Sequence, residues 1–393
     1  MFEIIVLGGG VVGLSAAHLL AKEGFRIALI EPHPPNLEWQ EAFDSRCVAI
    51  AKSSQKIFED IGVWQAMLAE RISPYRQMHV WDALGFGKVT FDAAEIAEAE
   101  LGHIIEQRVM IKALWQSIKR YSNVTLITPA YPKSIEIGSD HVNFALEDRE
   151  VLQAKLVVGA EGANSWLRKT QAFKTVEHHY DQEALVATVE TLLPHQETAW
   201  QRFLKEGPLA FLPLSDPHKS SIVWTASTEK IKTLMELRDE EFYEQLAHAF
   251  DYQLGKILSS SPRKCFTLKR LHAERYVQER MVLIGDAAHV IHPLAGQGVN
   301  LGLGDVAKLG EILSYANNTG YDIGHYLVLR KYERARKGQV KAMMAAMELL
   351  KEGFGSQSSL VMILRSIGLN FVDKNKGLKK KLILQATGTG SLL

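Results

Sequence analysis

The 393-residue chain is longer than one hydrophobic core usually grows, so two domains, sequential or intertwined, are expected. Its 47% hydrophobic and 23% charged residues suit a soluble globular protein, and its formal net charge of zero argues against nucleic acid as a partner. Two cysteines far apart, Cys47 and Cys265, argue against a disulfide framework and read as buried, inert thiols in a reducing compartment.

The first element expected is a buried parallel strand over residues 3–7, an apolar run ending in glycines. A helix follows over 11–23, with Val12, Leu14, Ala17, Leu19 and Leu20 at helical spacing. A second strand over 26–30 closes with Glu31 and Pro32. The three form a strand–helix–strand unit of about thirty residues with a right-handed crossover. Buried-strand signatures recur at 156–160 and 281–284, each running into a glycine and an acidic residue. Between them, 184–190 and 220–226 alternate and are rich in β-branched residues, which predicts a separate, largely antiparallel sheet. Beyond about residue 326 the pattern is helical. An apolar stretch over 360–369, broken mainly by Arg365, leads to Lys374, Lys376, Lys379, Lys380 and Lys381. Such a basic, amphipathic tail reads either as a solvated helix end or as a peripheral membrane contact. Residues 387–393 are expected to fray. The N-terminus lacks the basic lead and cleavage site of a signal peptide, and no apolar run reaches about eighteen residues. A cytoplasmic or membrane-surface location is expected.

Three stretches carry the chemistry. Gly8-x-Gly10-x-x-Gly13 sits between the first strand and the first helix. One glycine permits the tight turn, one lets backbone approach a pyrophosphate, and one lets helix and strand pack closely. The helix N-terminus offers free N–H groups to the phosphates. Glu31, about twenty residues on, can accept from ribose hydroxyls and would repel a 2′-phosphate, which favours FAD or NAD over NADP. On this reading Gly10→Val blocks both the pyrophosphate and folding. At Gly285-Asp286 an acidic residue at a strand end can bind the ribityl hydroxyls of a flavin. Gly296-Gln297-Gly298 would lay backbone against the isoalloxazine edge, and the helix starting near Val299 would aim its positive end at reduced flavin.

The run from His292 to Asp305 (HPLAGQGVNLGLGD) resembles the signature of the ubiquinone-biosynthesis hydroxylases, within the flavoprotein monooxygenases of aromatic substrates. The resemblance extends to Asp44-Ser45-Arg46, Glu106-Gln107-Arg108, Gly159 to Ser165 with Arg168, and Phe211 to Leu214. It implies an α/β fold. A Rossmann-like FAD-binding domain, of the glutathione-reductase and p-hydroxybenzoate-hydroxylase type, would span 1–75, 103–174 and 271–325. An inserted, mainly antiparallel sheet domain for the substrate would span 76–102 and 175–270, and a C-terminal helical region 326–393. It also implies that Arg46 and Gln107 lie near the ribityl–pyrophosphate region, Asp286 on the ribityl chain, and Gly298 and Asn300 at the flavin ring. In the family, NAD(P)H reduces FAD and O2 then gives a C4a-hydroperoxide that hydroxylates a polyprenylphenol ring. Apolar surroundings keep water from that intermediate. Partners implied are the lipid substrate, a membrane surface and other ubiquinone-biosynthesis proteins, and a homo-oligomer is compatible. Glu161 departs from the usual family aspartate; it is expected to keep the structural role and to alter the NAD(P)H encounter slightly.

No second strand–Gly-x-Gly-x-x-Gly unit is visible, so NAD(P)H should visit without a domain of its own, and no catalytic side chain is assigned. His289 and His292 lack the accompanying ligands of a metal site. Trp200, Phe203, Phe211 and Trp224 read as sheet-domain core or as lining of an aromatic pocket. Rival readings are a hydroxylase of another aromatic compound, a non-catalytic flavoprotein scaffold and an NAD-dependent dehydrogenase.

Overall fold

The computed structural model describes residues 1–38, 40–148, 151–291, 297–356 and 358–390. Short apolar runs bounded by glycine make the central sheet. Strand β1 (Ile4–Leu7) pairs in parallel with β2 (Ile27–Ile30) on one side and with Leu156–Gly159 on the other, and helix α1 (Val11–Lys22) joins β1 to β2. Met281–Leu283 extends the sheet beyond Leu156–Gly159, and Val124–Ile127 extends it beyond β2. The two-residue strand Val277–Gln278 closes one edge antiparallel. All four residues of β1, of β2 and of Leu156–Gly159 are buried, which is why these strands read as unbroken apolar runs. Val124–Ile127 has only one buried residue and therefore carries no such signature.

A second, nine-stranded sheet is built around the seventeen-residue strand Thr175–Thr191. Its antiparallel neighbours are Lys219–Ser227 and Lys264–Ala273, with Val186 opposite Val223 and Leu185 opposite Cys265. One pair, Thr198–Phe203 with Gln77–Asp82, is parallel, so the sheet is mainly rather than wholly antiparallel. Alternation separates its faces. Leu185, Ala187, Val189, Ile222 and Trp224 form a core with residues of the helices Thr228–Glu236 and Asp239–Ala249. The opposite face carries Ala184 and Val223, packed with Tyr180 and Leu268.

Three helices end the chain: Tyr326–Gly355, Ser359–Lys374 and Lys376–Thr387. The fraying expected from residue 387 does not begin there: Thr387 is buried, and its hydroxyl donates to the Ile383 carbonyl. Cys265 is exposed rather than buried, although it lies opposite the buried Leu185. Cys47 is half-buried, and burial together with the nearby Glu106 carboxylate pushes its thiol up to about 12.

Candidate functional site: a dinucleotide cleft

The glycines of the first loop differ in what surrounds them. Gly8 has φ +101°, and a Cβ there would come within 2.6 Å of the Ala160 carbonyl oxygen. A Cβ on Gly13 would lie 2.0 Å from the Gly8 carbonyl oxygen, so the helix can cross the strand this closely only without a side chain. Gly10 is different: its φ is −77°, and a Cβ would meet nothing within 4 Å among the described residues. Nothing among the described residues requires glycine there, but a group lying against the backbone would. Folding and binding should therefore separate, which corrects the expectation that Gly10→Val disrupts both. Gly10→Val is expected to be soluble, folded and free of flavin. Gly13→Val is expected to misfold. Circular dichroism and visible absorption of the two purified variants check this, and a yellow Gly10→Val protein would place the pyrophosphate elsewhere.

Glu31, at the end of β2, is anchored: its Oε2 accepts from the Gly9 N–H at 2.5 Å and its Oε1 from the His33 N–H at 2.8 Å. The carboxylate thus sits beside the glycine loop with lone pairs left for ribose hydroxyls.

The Gly285-Asp286 turn meets the same loop through Val12. A Cβ on Gly285 would approach Val12 to 3.1 Å, and one on Gly302, a turn into the Gly298–Asn318 helix, to 2.6 Å. Three segments distant in sequence converge on one side chain. Asp286 is solvent-accessible, and neither of its carboxylate oxygens has a hydrogen bond among the described residues. Enclosure by protein raises its pKa; His289 opposes this and Asp305 reinforces it. Among the described residues a Cβ on Gly298 would meet only Asp286, whose Oδ1 would be 3.8 Å away. Among the described residues no side chain caps the N-terminus of α1 or of the Gly298–Asn318 helix, which leaves both sets of N–H groups for a ligand. Gly296 lies outside the described residues, as do His292 to Ala295.

Arg46 and Gln107 are brought together by the small sheet in which Cys47–Ala51 pairs with Gly102–Glu106. The Gln107 N–H donates to the Arg46 carbonyl at 2.8 Å. Asp44 accepts from the N–H groups of Arg46 (3.1 Å) and Arg108 (3.3 Å), so the two motifs form one unit. Arg46 is exposed and stacks over Phe266 of the large sheet, its guanidinium carbon 4.8 Å from the ring centre. Asn300 does not offer its amide to the cleft. Its Nδ2 donates to the Ala49 carbonyl at 2.8 Å and its Oδ1 accepts from the Ala51 N–H at 3.0 Å, fastening the helix start to the strand that carries Arg46.

Glu161 uses both oxygens internally, accepting from Ser165 Oγ at 2.6 Å and from the Leu167 N–H at 3.0 Å. Burial nevertheless raises its pKa. Arg168 bridges this turn to the Asp286 turn, donating to the carbonyls of Ala163 and Ala287 at 2.5 and 2.8 Å. Glu161→Asp should lose one of these bonds, cost about 1 kcal/mol in urea unfolding, and keep its flavin. Flavin loss at unchanged stability would instead put this carboxylate in contact with cofactor.

Residues at positions 289, 305 and 336 form a buried group behind the cleft that motif spacing does not reveal. Asp305 Oδ2 accepts from His289 Nε2 at 2.7 Å and from the Gly285 N–H at 2.9 Å, and Oδ1 accepts from Arg336 Nε at 2.7 Å. Asp305 closes the conspicuous motif, but Arg336 lies in the C-terminal helices and gives no local signal. Among the described residues no group of three His, Cys, Asp or Glu side chains could hold a metal ion.

The aromatic residues divide. Phe211 and Trp224 belong to the core under the helices, and Trp200 packs against it, whereas Phe203 lines a cavity of about 220 Å³ with Thr225, Lys351 and Phe354. None of the cleft residues named above lines this cavity.

A parallel sheet with a glycine-rich turn, an unpaired carboxylate and a second uncapped helix facing it fits a flavin dinucleotide, and with the large sheet opposite it defines the flavoprotein monooxygenase class. A family model described as "FAD binding domain" matches residues 1–347. The 3-demethoxyubiquinol 3-hydroxylase of Escherichia coli K12 is 35% identical over 98% of both chains. The mitochondrial ubiquinone biosynthesis monooxygenase COQ6 of Danio rerio is 32% identical over 98% of this chain and 90% of that one. In fold, the p-nitrophenol 4-monooxygenase PnpA of Pseudomonas putida superimposes with a TM-score of 0.81 at 16% identity, covering 100% of this chain and 99% of that one. The chain belongs to the ubiquinone-biosynthesis family of FAD-dependent hydroxylases, and it is an FAD-dependent monooxygenase.

Proposed function

We propose that this enzyme hydroxylates the aromatic ring of a polyprenylphenol intermediate in ubiquinone biosynthesis, using NAD(P)H and O2 on the cytoplasmic side of the membrane. The observation that carries the reading is the near end-to-end likeness to a ubiquinol hydroxylase, together with a cleft whose unpaired groups suit FAD. The proposed division of labour follows the sheets. Residues 1–75, 103–174 and 271–325 hold FAD, 76–102 and 175–270 receive the substrate, and 326–393 cover the junction.

Bound FAD would supply the redox chemistry that couples NAD(P)H oxidation to O2 activation. The chain's own residues bind, orient and shield. The uncapped start of α1, with Gly8, Gly10 and Gly13, takes the pyrophosphate, and Glu31 accepts from the adenosine ribose. Asp286 accepts from the ribityl hydroxyls. Gly298 presents backbone N–H to the ring, and Gly296, two residues earlier in sequence, is proposed to contact it as well. Asn300 holds that helix start against Ala49 and Ala51, while Arg46 and Gln107 close the cleft from the other side. The sheet face bearing Ala184, Val223 and Leu268 offers apolar surroundings that keep water from the reacting centre.

Deleting the gene in its host and analysing the quinone lipids by mass spectrometry tests this. Accumulation of a prenylphenol lacking one oxygen is expected, with labelled O2 incorporated by the purified, flavin-loaded enzyme. An unchanged quinone pool, with no oxygen transferred to any prenylphenol in vitro, would reject the reading.

A further inference from the structure

The Ser359–Lys374 helix is apolar on two sides. Its protein-facing side packs Leu369 and Val372 against Val80, Val89, Phe203 and Phe354, and adds a row of polar contacts. Arg365 forms a two-pronged pair with the buried Asp82, Nε to Oδ2 at 2.7 Å and Nη2 to Oδ1 at 3.0 Å. Ser366 Oγ accepts from the Phe86 N–H at 3.3 Å, Asn370 Oδ1 from the Lys88 N–H at 3.1 Å, and Asp373 Oδ1 from the Thr90 N–H at 3.1 Å. Lys88 and Thr90 lie two apart on Lys88–Asp92, the end strand of the large sheet. The helix thus satisfies an edge that would otherwise present unpaired N–H groups.

Its other side is apolar and faces solvent. Leu360, Ile363, Leu364, Ile367 and Phe371 are 67, 49, 59, 53 and 57% exposed, and their spacing puts them on one stripe. One exposed leucine means little, but a continuous apolar stripe on the outer side of a helix already packed on its inner side calls for an occupant. Charge identifies it. From 359 to 390 the chain has six basic residues and one acid, Asp373. Arg365 and Lys379 are spent internally: Lys379 is buried and pairs with Glu95 at 2.8 Å and Asp373 at 3.2 Å. Lys379 therefore cannot serve the membrane contact expected of the basic tail. Lys374, Lys376, Lys380 and Lys381 are exposed at the end of the stripe. A second copy of this segment would offer them only Asp373, already bonded to Thr90 and Lys379.

We propose that this helix and its four lysines dock the enzyme on an anionic phospholipid surface, with the apolar stripe lying among the acyl chains near the headgroups. Among the described residues no helix is long and apolar enough to cross a membrane, so the contact is peripheral. The docked helix also fixes the cavity between the large sheet and the preceding helix. Arg365 Nη1 donates to the carbonyls of Gly353, Phe354 and Ser356 at 3.0, 2.9 and 3.0 Å, and Phe354 and Gly355 line that cavity. Docking would hold its rim against the lipid. The inference rests on the helix and holds whichever aromatic ring the enzyme hydroxylates.

Flotation of the full-length, flavin-loaded protein with vesicles tests it. Binding is expected to vesicles of phosphatidylcholine containing phosphatidylglycerol, to be much weaker with phosphatidylcholine alone, and to fall in high salt. Replacing Lys374, Lys376, Lys380 and Lys381 by glutamine should lower partitioning about tenfold or more. Leu364→Glu with Ile367→Glu should abolish it without changing flavin content, since both side chains are exposed. Should the glutamates impair folding, the glutamine variant decides alone. Absence of wild-type binding to anionic vesicles, or equal binding by the folded variants, overturns the proposal. So does a dimer in solution that the paired glutamates convert to monomer while vesicle binding persists.

Discussion

Asp286→Ala is expected to purify as a folded, colourless protein. The residue follows a strand whose three residues are buried, and its carboxylate makes no hydrogen bond among the described residues, so little of the fold depends on it. The loss falls on the ligand. A hydrogen bond to a charged acceptor contributes roughly 1.5–3 kcal/mol, so removing one weakens flavin binding by about one to two orders of magnitude, and removing two compounds it. The enclosure that raises the Asp286 pKa adds a pH dependence. The ionised form is the acceptor, so affinity should decline as pH falls through a value above that of an ordinary aspartate. Asp286→Asn should keep part of the affinity and lose the pH dependence. The ratio of visible to ultraviolet absorbance after purification and a fluorescence titration with FAD are the measurements. Full yellow colour in the alanine variant would show that Asp286 does not hold the ribityl chain.

What could be read from the sequence was local. The strand–turn–helix of residues 4–22 and the strand–turn at 281–286 declare themselves within a few residues, because burial on both faces leaves unbroken apolar runs and close approaches require glycine. Val124–Ile127 was illegible because only one of its residues is buried. Asn300 sits in a conspicuous motif, yet its side chain serves the strand at Ala49 and Ala51, about 250 residues earlier, and no spacing rule reaches that far. The amphipathic pattern of the last helices was legible, but not which side faces the protein. Periodicity predicts that an apolar stripe turns inward; here the polar contacts to Asp82 and to the end strand hold it outward.

Asp305→Asn tests the same point inside the molecule. Asp305 is fully buried, His289 is 1% exposed, and Arg336, from the long C-terminal helix, is 8% exposed. The substitution keeps the shape and replaces one acceptor by an amide NH2, which faces either the Arg336 guanidinium or His289 and the Gly285 N–H. Breaking one partner of a buried charge pair costs about 3–5 kcal/mol, because the remaining charge stays desolvated. A lower urea midpoint at unchanged slope is expected, with weaker flavin binding as Gly285, next to Asp286, loses its anchor. Arg336→Met in the same background should restore part of the loss, since no unpaired guanidinium is left; strictly additive effects would show that the pair is not coupled. The acid limb gives a second readout. Burial alone would raise the Asp305 pKa, but His289 and Arg336 outweigh it and hold the carboxyl below its ordinary value. A depressed folded value means that this stability is complete above the unfolded value of about 3.9 and is lost as pH falls through the lower folded one. Wild type should therefore lose an increment of stability below about pH 4 that Asp305→Asn has already lost at neutral pH, and the two stability curves should converge on acidification.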